Sequence, residues 1–238
     1  CSSVLALDFR NQLIQAGWQD DCVQVLPLMI DVAKYQTPVA NHAGQNPQNG
    51  AFRVLFLSRL ASDKGVWELM EAVGWLVRTH PQAAIEFICA GDGSEYEAIQ
   101  AHVVDHDLVN RVCLTGYVEG EAKYTAFQGS DLFVFPSFHA EGFPTVVIES
   151  MAAGLPLIYT PVGALEEILG PGNGIRIELD DLSGERLGQE IWNLYQDPDR
   201  RLAMGVANQR LSEQFDVNVV CAQTLEIYGR VAHGEGTA

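Results

Sequence analysis

The stretch RVLFLSRLASDKGVWELMEAVGWLVRTH, residues 53–80, changes its period part-way. RVLFLS, residues 53–58, is a near-continuous apolar run, short enough for a strand buried on both faces. From Lys64 to His80 the apolar residues Val66, Leu69, Met70, Val73, Leu76 and Val77 recur at helical spacing and fall on one stripe. A strand feeding a helix in this way is half of a βαβ unit, and the pattern repeats downstream. AAIEFICA (83–90), VCLTGYV (112–118), DLFVFPS (131–137), PLIYTPVG (156–163) and GIRIEL (174–179) read as strands. Helices are expected after Gly91-Asp92-Gly93, where Ser94 and Glu97 have capping-box spacing, over EAKYTAFQG, and from Pro144 to Ala153 with Gly154 as the stop. Three more are expected near 184–196, 198–214 and 216–232. Buried strands alternating with helices predict an α/β fold, a doubly wound parallel sheet covered on both faces.

Ahead of this rhythm, residues 4–31 carry a short helix pattern (Phe9, Leu13, Ile14) and a strand-like VQVLPL. Residues 35–51, YQTPVANHAGQNPQNGA, are polar and rich in Pro, Gly, Asn and Gln, which predicts a linker. The 238 residues suffice for one large domain, or one domain and a fragment. Opening at Cys1 in mid-pattern suggests a fragment. With 14 Lys+Arg against 31 Asp+Glu the net charge is −17, which argues against nucleic acid or an anionic membrane surface as partner. Any anion site must therefore be built locally. Cysteines stand at 1, 22, 89, 113 and 221, an odd number with no CxxC pair, so a reducing cytoplasm is expected, with neither disulfide framework nor zinc site. Cys89 and Cys113 fall in strand runs and read as small buried apolar groups. The longest apolar stretch, near 151–165, is broken by prolines and glycines, so no membrane span is expected.

Open parallel sheets bind ligands beyond the carboxyl ends of their strands. Ser58-Arg59-Leu60, Gly91-Asp92-Gly93, Thr115 to Val118 and Pro136 to Thr145 all fall there. Either cation, Arg59 or Lys64, would alone read as a surface ion-pair partner; together, beside a helix start, they suit a phosphate or pyrophosphate. The stretch HAEGFPTVVIE, residues 139–149, sets Glu141 and Glu149 on either side of a helix start that lacks a capping side chain, because Gly142 and Phe143 carry no capping oxygen. Glu149 shares a helix face with Thr145, inside an apolar run, and a buried glutamate needs a partner. A glycosidase pair, about 5–10 Å apart, is compatible with this spacing, but the open helix start between the two invites an anion that a glycosidase does not need. A metal site lacks a histidine at ligand spacing, and His139 reads as a structural loop imidazole. Asp105-His106-Asp107 and Asp197-Pro198-Asp199 read as ends or starts of surface helices rather than metal sites.

The succession RVLFLSRLASDKG, ICAGDGSE, VCLTGYV, FPSFHAEGFPTVVIESMAAGLPLI and VGALEEIL closely resembles the C-terminal half of family 4 retaining glycosyltransferases of the GT-B fold, over about residues 52–230. The resemblance implies a Rossmann-like donor-binding domain from 51 to 238. It makes residues 1–50 the tail end of the N-terminal domain plus the interdomain linker. The donor would be a nucleotide sugar, foremost a UDP-sugar, with GDP and ADP behind, and neither metal nor cofactor is implied. Arg59 and Lys64 match the pair that neutralises the diphosphate, Glu149 the carboxylate on the ribose hydroxyls, and Glu141 the one facing the donor sugar. The stretch Gly142-Phe143-Pro144-Thr145 matches the segment that carries the backbone donors at sugar and distal phosphate, Tyr117 and Val118 the edge that meets the base, and Gly91, Asp92 and Gly93 the loop beside them. Glu167 matches a family position of no assigned role. Ser58 stands where the family has Gly, and Pro27-Leu28-Met29-Ile30 where it has Pro-Asn-Gly-Val. The family's acceptor domain, the implied partner, is not within this chain. A non-catalytic nucleotide-binding module and a GT-B-like sugar-nucleotide epimerase are the rival readings.

Overall fold

The computed structural model describes residues 2–4, 7–36, 50–139 and 142–232. Most of the expected linker, residues 37–49, and Glu141 lie outside the described residues. The first unit is a small βαβ piece: β1 (Ser2–Val4), α1 (Leu7–Gln15) and β2 (Val23–Val25), with β1 and β2 paired in parallel. The main sheet follows, built from β3 (Phe52–Leu57), β4 (Ile85–Ala90), β5 (Val112–Gly116), β6 (Leu132–Phe135), β7 (Leu157–Tyr159) and β8 (Gly174–Arg176). All its pairings are parallel, in the order β5-β4-β3-β6-β7-β8. The chain winds outward from β3 in one direction, then returns to start β6 on its other side. This is the doubly wound order, with its switch point between β3 and β6.

The alternation of side chains along each strand builds two cores at once. Phe52, Val54 and Phe56 of β3, Phe87 and Cys89 of β4, and Leu132 and Val134 of β6 face one layer. That layer holds α2 (Val66–Thr79), α3 (Tyr96–Asp105) and α7 (Gly184–Gln196), with Met204 of α8 (Pro198–Ser212). Leu55 and Leu57, Ala90, and Phe133 and Phe135 face the other layer, against α4 (Gly120–Gln128), α5 (Thr145–Ala152) and α6 (Leu165–Ile168). Burial of both faces explains why β3 and β6 carry almost no polar residue. Each Phe or Leu so removed from water contributes roughly 1.5–3 kcal/mol. α9 (Val217–Ala232) closes the described chain. No helix among the described residues is long and apolar enough to cross a membrane.

Several local expectations change. Helix α2 starts at Val66, not Lys64: residues Ser62–Lys64 form a 3-10 turn, and Gly65 enters the left-handed region at φ +74°. Pro144 precedes α5 as its N-cap rather than occupying its first turn, while Gly154 stops the helix at φ +79° as expected. The Ser94–Glu97 capping box does not form. Helix α3 begins at Tyr96 with no side-chain cap, because the loop before it is held by backbone bonds from Glu95 N to Leu60 O (3.0 Å) and Tyr96 N to Gly93 O (3.1 Å). Strand β7 ends at Tyr159, since Pro161 has no N–H for a ladder.

Cys113 is exposed and Cys89 buried. β5 is an edge strand that leaves one face to water, so a residue in an apolar run there need not be buried. Burial pushes the Cys89 thiol up to about 12, which leaves it inert. Timed labelling of native protein with a thiol reagent should modify Cys113 within minutes and Cys89 only on unfolding, read by peptide mass analysis.

Candidate functional site

A cleft of about 470 Å³ opens at the switch point. Its lining is drawn from four strand ends and one helix start: Leu57, Ser58 and Arg59 at the end of β3, Ala90, Gly91 and Asp92 at the end of β4, Tyr117 and Val118 after β5, Phe135 of β6, and Phe143 to Val146 at the start of α5. The strand ends are laced together by backbone bonds: Ser58 N to Ala90 O (3.1 Å), Gly91 N to Gly116 O (2.8 Å) and Leu60 N to Asp92 O (2.9 Å). Gly91, at φ +145°, permits this approach; a Cβ there would stand 1.9 Å from Ser58 O.

Of the expected residues, Arg59, Gly91, Asp92, Tyr117, Val118, Phe143, Pro144 and Thr145 line the cleft. Lys64, Gly93, Gly142 and Glu149 do not line it directly. Gly93 packs behind the wall, where a Cβ would meet Leu60 O at 2.3 Å. Lys64 is buried at 7 % exposure in the Ser62–Lys64 turn. That turn is strapped to the loop after β6: Phe138 N and His139 N donate to Asp63 O at 2.9 and 3.2 Å. His139 also places Nδ1 3.3 Å from Asp63 Oδ2, in keeping with a structural role. The exposed Arg59 guanidinium lies 3.5 Å from the same carboxylate. Arg59 is thus exposed at the cleft beside Asp63, and Lys64 is buried in the turn that Asp63 belongs to. Asp105 ends α3 and Asp197 caps α8 by accepting from Arg200 N (2.9 Å), so both Asp-x-Asp triplets are helix-end features.

The anion-favouring helix start is present. No side chain caps α5, and Pro144, Thr145 and Val146 face the cleft. Phe143 anchors the turn by an edge contact with Phe215, ring centroids 5.7 Å apart. Glu149 lies one turn deeper, its side chain 7 % exposed. Its Oε1 accepts from Tyr35 Oη at 2.7 Å and from Lys123 Nζ at 2.6 Å. Burial, then the bond to Glu149, pushes the Tyr35 phenol well up, so it stays a neutral donor. Neither Tyr35 nor Lys123 was expected at the site. The available signal was indirect: a buried glutamate had to find a cation or hydroxyl, but sequence spacing does not say which.

The model of the family described as "Glycosyl transferases group 1" matches residues 51–197, more than half of the chain. The chain belongs to the group 1 glycosyltransferases. Curated relatives include the glycogen synthase of Mycobacterium tuberculosis, 28 % identical over 197 residues, which span 81 % of this chain and 46 % of that protein. The phosphatidyl-myo-inositol mannosyltransferase of Mycolicibacterium smegmatis is 27 % identical over 89 % of this chain and 53 % of its own. This group 1 glycosyltransferase chain therefore spans about half the length of the curated relatives it matches. Among solved structures, Anabaena HepE in complex with UDP-glucose superposes with TM-score 0.77 at 23 % identity, covering 95 % of this chain and 63 % of HepE. A glycosyltransferase of Rickettsia africae gives 0.79 at 19 % identity, covering 97 % and 63 %. The six-stranded sheet is thus that of a GT-B glycosyltransferase half.

Proposed function

We propose that this chain is the donor-binding half of a retaining glycosyltransferase that moves a sugar from a nucleotide sugar, foremost a UDP-sugar, to an acceptor. In this reading residues 51–238 form the donor domain and residues 1–50 the end of the N-terminal domain and the linker, while the acceptor domain supplies the other wall. The carrying observation is one cleft that combines a cation, Arg59, with the uncapped start of α5. In a chain of net charge −17, that is a locally built anion site. HepE, of the same fold, is a complex with UDP-glucose, which favours uridine. The free thiols at Cys22, Cys89, Cys113 and Cys221 suit a cytoplasmic protein.

The roles follow from chemistry. A nucleoside diphosphate leaves readily if its growing charge is stabilised, and Arg59, Lys64 and the α5 backbone N–H groups supply that stabilisation electrostatically. Tyr117 and Val118 would meet the base and Glu149 the ribose. Glu141 would face the sugar, with the backbone N–H groups of Gly142, Phe143 and Thr145 donating to its oxygens and the distal phosphate, while Pro144, which has no N–H, shapes the turn. Retention would follow from front-face attack, the leaving phosphate taking the acceptor proton; this needs no metal and no strong general acid.

Titration calorimetry with UDP and GDP tests the reading. Binding of UDP is expected, with Lys64→Ala weakening it about tenfold, the size of one lost charge-assisted hydrogen bond. Failure to bind any nucleoside diphosphate would defeat the proposal. Binding undiminished by Lys64→Ala would remove the lysine from the phosphate site.

A further inference from the structure

The carboxylate of Glu149 is satisfied on one side only. Oε1 accepts two hydrogen bonds, from Tyr35 and Lys123, which together use both of its lone pairs. Oε2 is buried and has no hydrogen-bond partner among the described residues. Buried polar atoms in folded proteins are almost always paired, so a bare anionic oxygen needs a physical reason, and this one lies one helical turn behind the cleft lining. Thr145 and Val146, one turn earlier on α5, line that cleft.

Both donors are themselves fixed. Tyr35 is 6 % exposed and is gripped edge-on by Tyr124 (4.9 Å) and Phe127 (5.7 Å). The segment carrying it is zipped to the start of α9 by Ile30 N to Phe215 O (3.0 Å), Val217 N to Ile30 O (2.9 Å) and Val32 N to Asp216 Oδ2 (3.3 Å). Lys123 reaches in from α4 with a side chain 22 % exposed. The carboxylate is thus held from two elements outside its own helix, and rotation about its last torsion would break both bonds at once.

We infer that Tyr35 and Lys123 are positioning residues that lock Oε1 of Glu149, so that Oε2 alone, with both lone pairs open, is presented to a vicinal diol. The inference rests on the donor-site reading above and adds what makes the site selective for a ribonucleotide. One oxygen with two open lone pairs matches two adjacent hydroxyls. A carboxylate free to rotate would share its oxygens between water and ligand and discriminate less.

The test compares UDP with 2′,3′-dideoxy-UDP by calorimetry on the folded chain. Wild type should bind the dideoxy analogue at least tenfold more weakly. Tyr35→Phe and Lys123→Met should each weaken UDP about fivefold while moving the dideoxy analogue less than twofold, so the ratio between the nucleotides collapses. Lys123→Arg should restore the ratio. A merely structural role would weaken both nucleotides together and keep the ratio; that outcome in both variants, with thermal midpoints confirming folding, overturns the inference. Equal binding of the two nucleotides by wild type removes Glu149 from the ribose and overturns it as well. No UDP binding by wild type would instead defeat the donor reading itself.

Discussion

Gly65→Val is expected to cost at least about 3 kcal/mol of stability and to abolish nucleotide binding in whatever still folds. Two penalties add. The residue sits at φ +74°, ψ +23°, where a β-branched side chain pays roughly 1–3 kcal/mol of backbone strain. Its Cβ would also lie 2.0 Å from the carbonyl oxygen of Pro136, and backbone cannot yield as a flexible side chain can. Relief requires separating the Ser62–Lys64 turn from the loop after β6, the junction at which Lys64 is buried and which follows directly on Arg59 of the cleft. Gly120→Ala is the control. Gly120 has φ +54° but nothing within 4 Å of its would-be Cβ, so only the strain, about 1 kcal/mol, should appear. Urea denaturation of the three proteins, with UDP titration of each, separates the terms. A Gly65→Val protein as stable as Gly120→Ala would show that the loop can shift freely.

This junction also shows what was legible in the sequence and what was not. The period change at residues 53–80 was enough for strand, helix and parallel sheet, because both-face burial leaves an apolar run that few other structures need. Helices α7, α8 and α9 lie within two residues of their expected bounds. The sequence marked Gly65 only as a residue inside a helix. Its close approach to the backbone of Pro136, seventy-one positions away, is a tertiary contact that no local pattern carries. Cys113 was misread for the same reason: exposure follows from β5 being an edge strand, a fact of sheet order. At the site, cleft residues that sit at strand ends were recoverable from the rule that parallel sheets bind ligands there. Tyr35 and Lys123 were not, because the partner of a buried carboxylate is chosen by tertiary geometry.

Arg201→Met is expected to destabilise the fold by about 3 kcal/mol at pH 8, the size of a broken buried ion pair, and by less at pH 4.5, where only its packing and backbone bonds are lost. Arg201 is 4 % exposed, its guanidinium 5.0 Å above the Phe52 ring, with Nη1 donating to Tyr195 O at 2.8 Å and to Leu194 O. Its charge opposes the desolvation of Asp131, a carboxyl 3 % exposed at the start of β6 that accepts from Arg53 N at 2.8 Å. Burial dominates nonetheless and pushes the Asp131 carboxyl up to about 6. The ordinary value of 3.8 applies to the unfolded chain. Between these two the folded state binds more protons, so stability falls as pH rises through about 4 to 6, by roughly 3 kcal/mol in all. Glu68, a half-buried carboxyl also pushed up by burial, adds a term of the same sign. Removing Arg201 takes away a cation that favours the ionised form, so the Asp131 carboxyl rises further and the pH window widens on its alkaline side. Asp131→Asn keeps an acceptor oxygen for Arg53 N and cannot ionise, so its stability should lack the Asp131 share of the slope. Urea midpoints of wild type, Arg201→Met and Asp131→Asn from pH 4.5 to 8 measure this directly. Stability of Arg201→Met that rises with pH would reverse the sign required by a buried carboxyl and would make loss of the guanidinium packing, rather than an uncompensated charge, the source of the damage.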